Sequence, residues 1–108
     1  MSYSMYGVTP RLLWRGLEGY VPAIGSNAIP GGGPQVVILN YVGRGVLVGW
    51  GNNVNVCNVK VWQDGVLRIN ATLSNISVLS LIGFDTSIRV DMLSGGIAGN
   101  GWAMYNHE

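Results

Sequence analysis

The run Phe84-Asp85-Thr86-Ser87-Ile88-Arg89-Val90-Asp91-Met92 changes side at every residue. Extended backbone points successive side chains to opposite faces, so Phe84, Thr86, Ile88, Val90 and Met92 share one side and Asp85, Ser87, Arg89 and Asp91 the other. A helix would scatter the same residues around its circumference. This stretch therefore belongs to a sheet with one buried and one wet face. Arg89 between Ser87 and Asp91 reads as ordinary solvated strand surface.

Shorter segments repeat the theme. Val36-Val37-Ile38-Leu39-Asn40-Tyr41-Val42 is rich in β-branched residues and ends at Gly43-Arg44-Gly45. Val46 to Trp50 follows, then the turn cluster Gly51-Asn52-Asn53. Val54 to Trp62 is strand-like, as is Val78-Leu79-Ser80-Leu81-Ile82. Glycines at 95, 96, 99 and 101 precede a last strand around Trp102-Ala103-Met104-Tyr105. Asp64-Gly65 is the strongest hairpin signal, because a type I′ turn needs φ > 0 at both positions. That turn pairs Trp62 with Leu67, Lys60 with Ile69 and Asn58 with Ala71. One face then carries Val56, Trp62, Leu67, Ile69 and Ala71, with Lys60 among them. A bulge or an edge position would let the Lys60 stem lie flat with its ammonium in water. Six or seven strands at a spacing of roughly ten residues predict an all-β fold, a single β-sandwich or jelly-roll-like module over residues 36–108.

Residues 1–35 read differently. They hold all four prolines, Pro10, Pro22, Pro30 and Pro34, together with Gly31-Gly32-Gly33, and show no sustained period. Thr9-Pro10 ahead of Arg11 to Gly16 could form a single helical turn. Tyr3, Tyr6, Trp14 and Tyr20 stand among Leu12, Leu13 and Leu17, too apolar a set for a free tail. The expectation is an extended N-terminal arm that contacts a neighbouring subunit, the alternative being that it covers its own domain.

Charge narrows the function. Charged residues make up 10% of the 108, with a net charge of +1, against about 25% in an ordinary soluble domain. So few cations leave no footprint for phosphate, which argues against nucleic acid. No apolar run approaches the roughly 18–20 residues of a membrane span. The opening Met1-Ser2-Tyr3-Ser4-Met5-Tyr6 lacks the basic start and apolar run of a secretory signal. Together with a lone Cys57, this predicts synthesis in a reducing cytoplasm. The sequons at Asn70 and Asn75 then read as chance.

Catalytic chemistry is nearly absent. His107, the only histidine, lies where fraying is expected. Cys57 sits inside a strand and reads as a small buried hydrophobe. Asp85 and Asp91 share a face but stand about 20 Å apart along a strand, too far for a glycosidase pair at roughly 5–10 Å. Gly31-Gly32-Gly33 is not followed by a helix and so makes no phosphate cradle. No cofactor or metal is implied, and the chain reads as non-enzymatic.

Four Trp and five Tyr invite a different role. Trp50 and Trp102, next to Gly/Asn turns, are the candidates for stacking on a glycan, though burial in a core or subunit contact is the preferred reading for both. A surface this poor in charge also predicts burial against other chains, a homotrimer or larger assembly. The candidate contact residues are Tyr6, Trp14, Tyr20, Trp50, Trp102 and Tyr105.

Three segments carry a resemblance: Tyr41-Val42-Gly43-Arg44-Gly45-Val46-Leu47, Val59-Lys60-Val61-Trp62-Gln63-Asp64-Gly65, and Gly83-Phe84-Asp85-Thr86-Ser87-Ile88-Arg89-Val90. In order and spacing they resemble the small β-modules of tailed-bacteriophage structural proteins, found in fibres, tails and capsid decorations. The resemblance spans roughly residues 36–93. It implies a virion component without enzymatic activity, commonly trimeric, attached to other virion proteins through its N-terminal segment. It transfers no receptor-binding residue. The alternative is a glycan- or receptor-binding β-sandwich recognising a host surface.

Overall fold

A computed structural model describes residues 19–108. Eight strands follow in order: β1 (Val21–Ile29), β2 (Val36–Val42), β3 (Gly45–Asn52), β4 (Cys57–Gln63), β5 (Val66–Thr72), β6 (Ser77–Phe84), β7 (Ser87–Ser94) and β8 (Gly99–His107). They form two four-stranded sheets, ordered β1-β8-β3-β6 and β2-β7-β4-β5, in which every pairing is antiparallel. The sheets pack face to face as a β-sandwich. None of the described residues forms a helix long and apolar enough to cross a membrane.

The core lies between the sheets. Cys57, Val59 and Val61 of β4 and Ile88, Val90 and Met92 of β7 are fully buried. They meet Leu47 and Trp50 of β3, Ile82 and Phe84 of β6 and Ala103 of β8. Each such aliphatic side chain contributes about 1.5–3 kcal/mol relative to exposure. The alternation read at 84–92 holds for Phe84, Ile88, Val90 and Met92. It is broken at Asp85-Thr86, which turn the chain from β6 into β7.

The Asp64-Gly65 turn forms as expected, with φ of 52° and 81°; glycine is needed at 65 because that φ is costly for a residue with a Cβ. Asp64 also does something its turn role did not announce. Its Oδ1 accepts hydrogen bonds from the backbone N–H of Asp85 (2.9 Å), Thr86 (2.7 Å) and Ser87 (3.2 Å) and from the Thr86 hydroxyl (3.0 Å). One exposed carboxylate thus clamps the β4–β5 hairpin to the β6–β7 turn. Loops at the opposite end are stitched by asparagines. Buried Asn52 donates to the Leu73 carbonyl and accepts from the N–H of Asn75 and Val54. Asn53 Oδ1 accepts from the Asn100 N–H at 2.6 Å.

Several expectations need correction. Residues 21–29, assigned to the arm, are strand β1, zipped to β8 from Val21↔His107 to Ile29↔Gly99. This part of the segment covers its own domain, and the sandwich has eight strands rather than six or seven. Residues 1–18, with the helical turn expected at Thr9–Gly16 and the aromatics Tyr6 and Trp14, lie outside the described residues. Trp62 pairs with Leu67 as expected, but a bulge next to it moves Val61 opposite Ile69 and Lys60 opposite Asn70. Val59 and Val61 are therefore the inward residues, while Lys60 and Trp62 share the outer face. Asp91 is 1% exposed, not solvated: Arg89 Nε and Nη2 donate to its two oxygens at 2.8 and 2.9 Å, and Gln35 donates as well. His107 is not frayed. It pairs with Val21 and Gly45 in the sheet and lies against Tyr41 and Tyr105, at ring-centroid distances of 5.0 and 5.6 Å.

The clamp has a pH signature. Desolvation alone would raise the Asp64 carboxyl, but the hydrogen bonds from Thr86, Ser87 and Asp85 together hold it below the usual carboxylate range. A depressed acid stabilises the fold above its unfolded pKa of about 3.9, and that contribution fades as pH falls through the lower folded value. Asp64→Ala is expected to cost about 1–3 kcal/mol at neutral pH. In urea titrations at successively lower pH, the gap between wild type and variant should close below about pH 4.

Candidate functional site

No cleft in the sandwich gathers catalytic groups. Among the described residues, no three of His, Cys, Asp and Glu come together to hold a metal ion. Cys57 is buried, and burial pushes its thiol above the ordinary value. A thiol held protonated and out of solvent is a poor nucleophile. The two outer faces of the sandwich differ sharply.

Among the described residues, the outer face of β1-β8-β3-β6 carries no carboxylate, ammonium or guanidinium. None of these four strands contains Asp, Glu, Lys or Arg. The described charges lie elsewhere: Lys60, Arg68, Arg89 and Asp91 in the other sheet, and Arg44, Asp64, Asp85 and Glu108 in turns or after β8. Across the uncharged face, register lines up Ile24 with Met104, Met104 with Gly49, and Gly49 with Leu79. Leu79 is 73% and Ile24 68% exposed, Met104 is exposed and Val48 half-buried. A shallow apolar depression of about 310 Å³ opens among Pro22, Ile24, Val48, Met104 and Asn106.

Trp102 lies on this face, half-buried, opposite Ser26 of β1 and Gly51 of β3. Its indole rests directly over Gly51, where a Cβ would come within 2.7 Å of the ring. Only glycine lets the ring lie that flat. Trp50 takes the opposite direction. It is 1% exposed, a core residue, and its Nε1–H has no partner. Burial in the core, the reading preferred for it over glycan stacking, is what the structure shows. Tyr105 packs on the core beside Tyr41, at 5.2 Å between ring centroids. Tyr20 is half-buried just ahead of β1. Of the predicted contact residues, Trp102 joins the uncharged face, while Tyr6 and Trp14 lie outside the described residues.

The outer face of β2-β7-β4-β5 is polar and carries a residue that sequence reasoning passed over. Register places Asn40, Arg89, Trp62 and Leu67 in one row across the four strands. The Arg89 guanidinium lies 5.3 Å from the Trp62 ring centroid. Its hydrogen bonds to Asp91 hold its proton more tightly than usual despite some desolvation. The hairpin register grouped Trp62 with Ile69 and Ala71, and the bulge at Arg68 turns those two residues to the other face, which leaves Trp62 and Leu67 outside.

No protein-family model matches this chain, and no curated protein matches its sequence. The two faces therefore have to speak for themselves.

Two outcomes follow from burial. Cys57 should resist Ellman's reagent in the folded protein and react fully once urea unfolds it. Trp50→Ala should lose about 3–5 kcal/mol of stability, measured by chemical denaturation, because it empties a core site. A loss below about 1 kcal/mol would contradict the placement of Trp50 in the core.

Proposed function

We propose that this chain is a non-enzymatic structural protein that works by assembly, as a component of a bacteriophage virion. The observation that carries the assembly reading is the outer face of β1-β8-β3-β6, four strands wide without one Asp, Glu, Lys or Arg, with Ile24, Leu79 and Met104 exposed across it. Monomeric proteins keep such patches small because exposed apolar area costs about 25 cal/mol per Å² relative to burial. Burying an uncharged face also incurs no desolvation of ions, so the gain is not offset. The virion setting and the homotrimer rest on the resemblance of residues 36–93 and on the charge-poor composition.

The edges support association through faces rather than by strand addition. In β1, Pro22 has no N–H to offer a neighbour, and the Ala28 N–H is taken by Asn27 Oδ1. The registers of β2, β5 and β6 each shift at a bulge. Irregular edges of this kind block the continuous hydrogen-bonding that edge-to-edge pairing requires.

Native mass and sedimentation of the full chain test this reading. The wild type should be a stable oligomer at micromolar concentration, a trimer under the virion assignment. Leu79→Lys combined with Met104→Lys should yield a folded monomer, since both side chains are exposed and their loss leaves the core intact. A wild-type chain that remains monomeric at high concentration would overturn the assembly reading.

A further inference from the structure

The polar face carries a cup that assembly through the opposite face would leave open. Gln35, Asn40, Trp62, Gly65, Ser87 and Arg89 enclose a shallow space of about 340 Å³, at the small end of ligand pockets, which run about 300–1,000 Å³. Trp62 forms one wall and Asn40 the facing one, two strands away across β7. Ser87 and Arg89, both on β7, make the floor. Gly65, with φ of 81° in the tight turn, keeps one side free of any side chain.

The cup is fixed rather than adaptable. Arg89 is held through Nε and Nη2 by both oxygens of Asp91, which is buried at 1% exposure and also receives Gln35. The guanidinium is stacked near the Trp62 ring as well, and a bidentate pair of this kind resists reorientation. Lys60, the neighbouring cation, directs its ammonium to Gln35 Oε1 at 3.4 Å. The positive charge of Arg89 is thus matched by Asp91 before any ligand arrives. What remains available is the Asn40 amide, the Ser87 hydroxyl, the Trp62 indole N–H and the unused N–H groups of Arg89.

We propose that this cup binds a neutral saccharide, with a pyranose ring lying against Trp62 and its hydroxyls on Asn40, Ser87 and Arg89. A ring hydroxyl both donates and accepts, which suits an amide offering both kinds of group and a guanidinium offering only donors. The C–H face of a pyranose is apolar and edge-positive, and so complements the negative face of an indole. A phosphate or carboxylate fits less well, because the cation it would need is already paired with a buried carboxylate. The assignment is independent of assembly, since the uncharged face lies on the other side of the sandwich.

The test is a ¹⁵N–¹H titration of the full-length protein with methyl glucoside, galactoside and mannoside and short oligomers of each, with inorganic phosphate and glucuronate run alongside. At millimolar saccharide, the Trp62 indole and Asn40 amide signals should shift while those of Trp50 and Trp102 stay fixed. Asn40→Ala and Ser87→Ala, at positions outside the core, should keep the folded spectrum and weaken binding about tenfold each. Shifts that persist unchanged in both variants overturn the proposal. So does a response to phosphate or glucuronate in the absence of any response to the neutral sugars, or no response to any of the sugars at concentrations near their solubility. Native mass recorded on the same variants separates this outcome from the fate of the oligomer.

Discussion

Leu47 and Trp50 both face the core although three positions separate them along β3, an odd number that regular alternation would send to opposite sides. The conflict is resolved around Val48. Between the pairs Leu47↔Tyr105 and Gly49↔Met104, β3 carries an extra residue against β8. Against β6, Ser80 and Leu81 stand across from the single Val48, and Leu81 takes a φ of 52°. A left-handed conformation costs an ordinary residue about 1–2 kcal/mol. Burying an indole removes roughly 150–250 Å² from water, about 4–6 kcal/mol at the usual coefficient. The irregularity persists because the tryptophan outweighs the strain. The same shift puts Val48, Gly49 and Gly51 on the outside, so the smoothness of the uncharged face follows from how the core is filled.

The sandwich is two-sided in a way that composition alone conceals. A net charge of +1 suggests a uniformly bland surface, yet among the described residues the ionised groups are confined to one sheet and to the turns. Arg44 reaches Asp85 at 3.5 Å and Glu108 at 3.9 Å, close to the turn that Asp64 clamps. These exposed pairs contribute little stability individually. Their value is positional, because they keep one end and one face hydrated while the other face stays bare. An ion-free face also makes association through it nearly insensitive to salt, unlike contacts steered by charge.

Most of the architecture was legible because strands announce themselves by β-branched runs and turns by Gly, Asn and Asp. The all-β class, the strand at 36–42 and the Asp64-Gly65 hairpin were all readable. The bulges were not. Leu81 occupies a conformation that its side chain disfavours, and neither Ile38 nor Arg68 carries the Gly or Asn that would flag an extra residue. Each missed bulge shifts every side chain beyond it to the other face. The bulge at Arg68 separates Trp62 and Leu67 from Ile69 and Ala71, which the hairpin register grouped on one face; Trp50 stood among the contact candidates because of the Gly51-Asn52-Asn53 turn beside it. β1 was hidden for another reason: Pro22, Gly25 and Ser26 weaken its pattern, and the strand exists because β8 offers nine residues of ladder to pair with. The burial of Asp91 could not be read from alternation, since it depends on Gln35 from outside the strand.

The position of β8 carries a consequence for the making of the protein. Although it comes after the other seven described strands, it lies inside its sheet, hydrogen-bonded to β1 on one side and β3 on the other. Until β8 leaves the ribosome, β1 has no partner and β3 has an open side. A nascent chain can pair β2, β7, β4 and β5, and β3 with β6, but the sheet that bears the uncharged face is complete only when β8 slides between β1 and β3. Translation stopped short of residue 99 would therefore release a sandwich whose second sheet is cut down to the β3–β6 pair, with β1 unpaired and part of the inner surface bare, a natural substrate for chaperones and proteases.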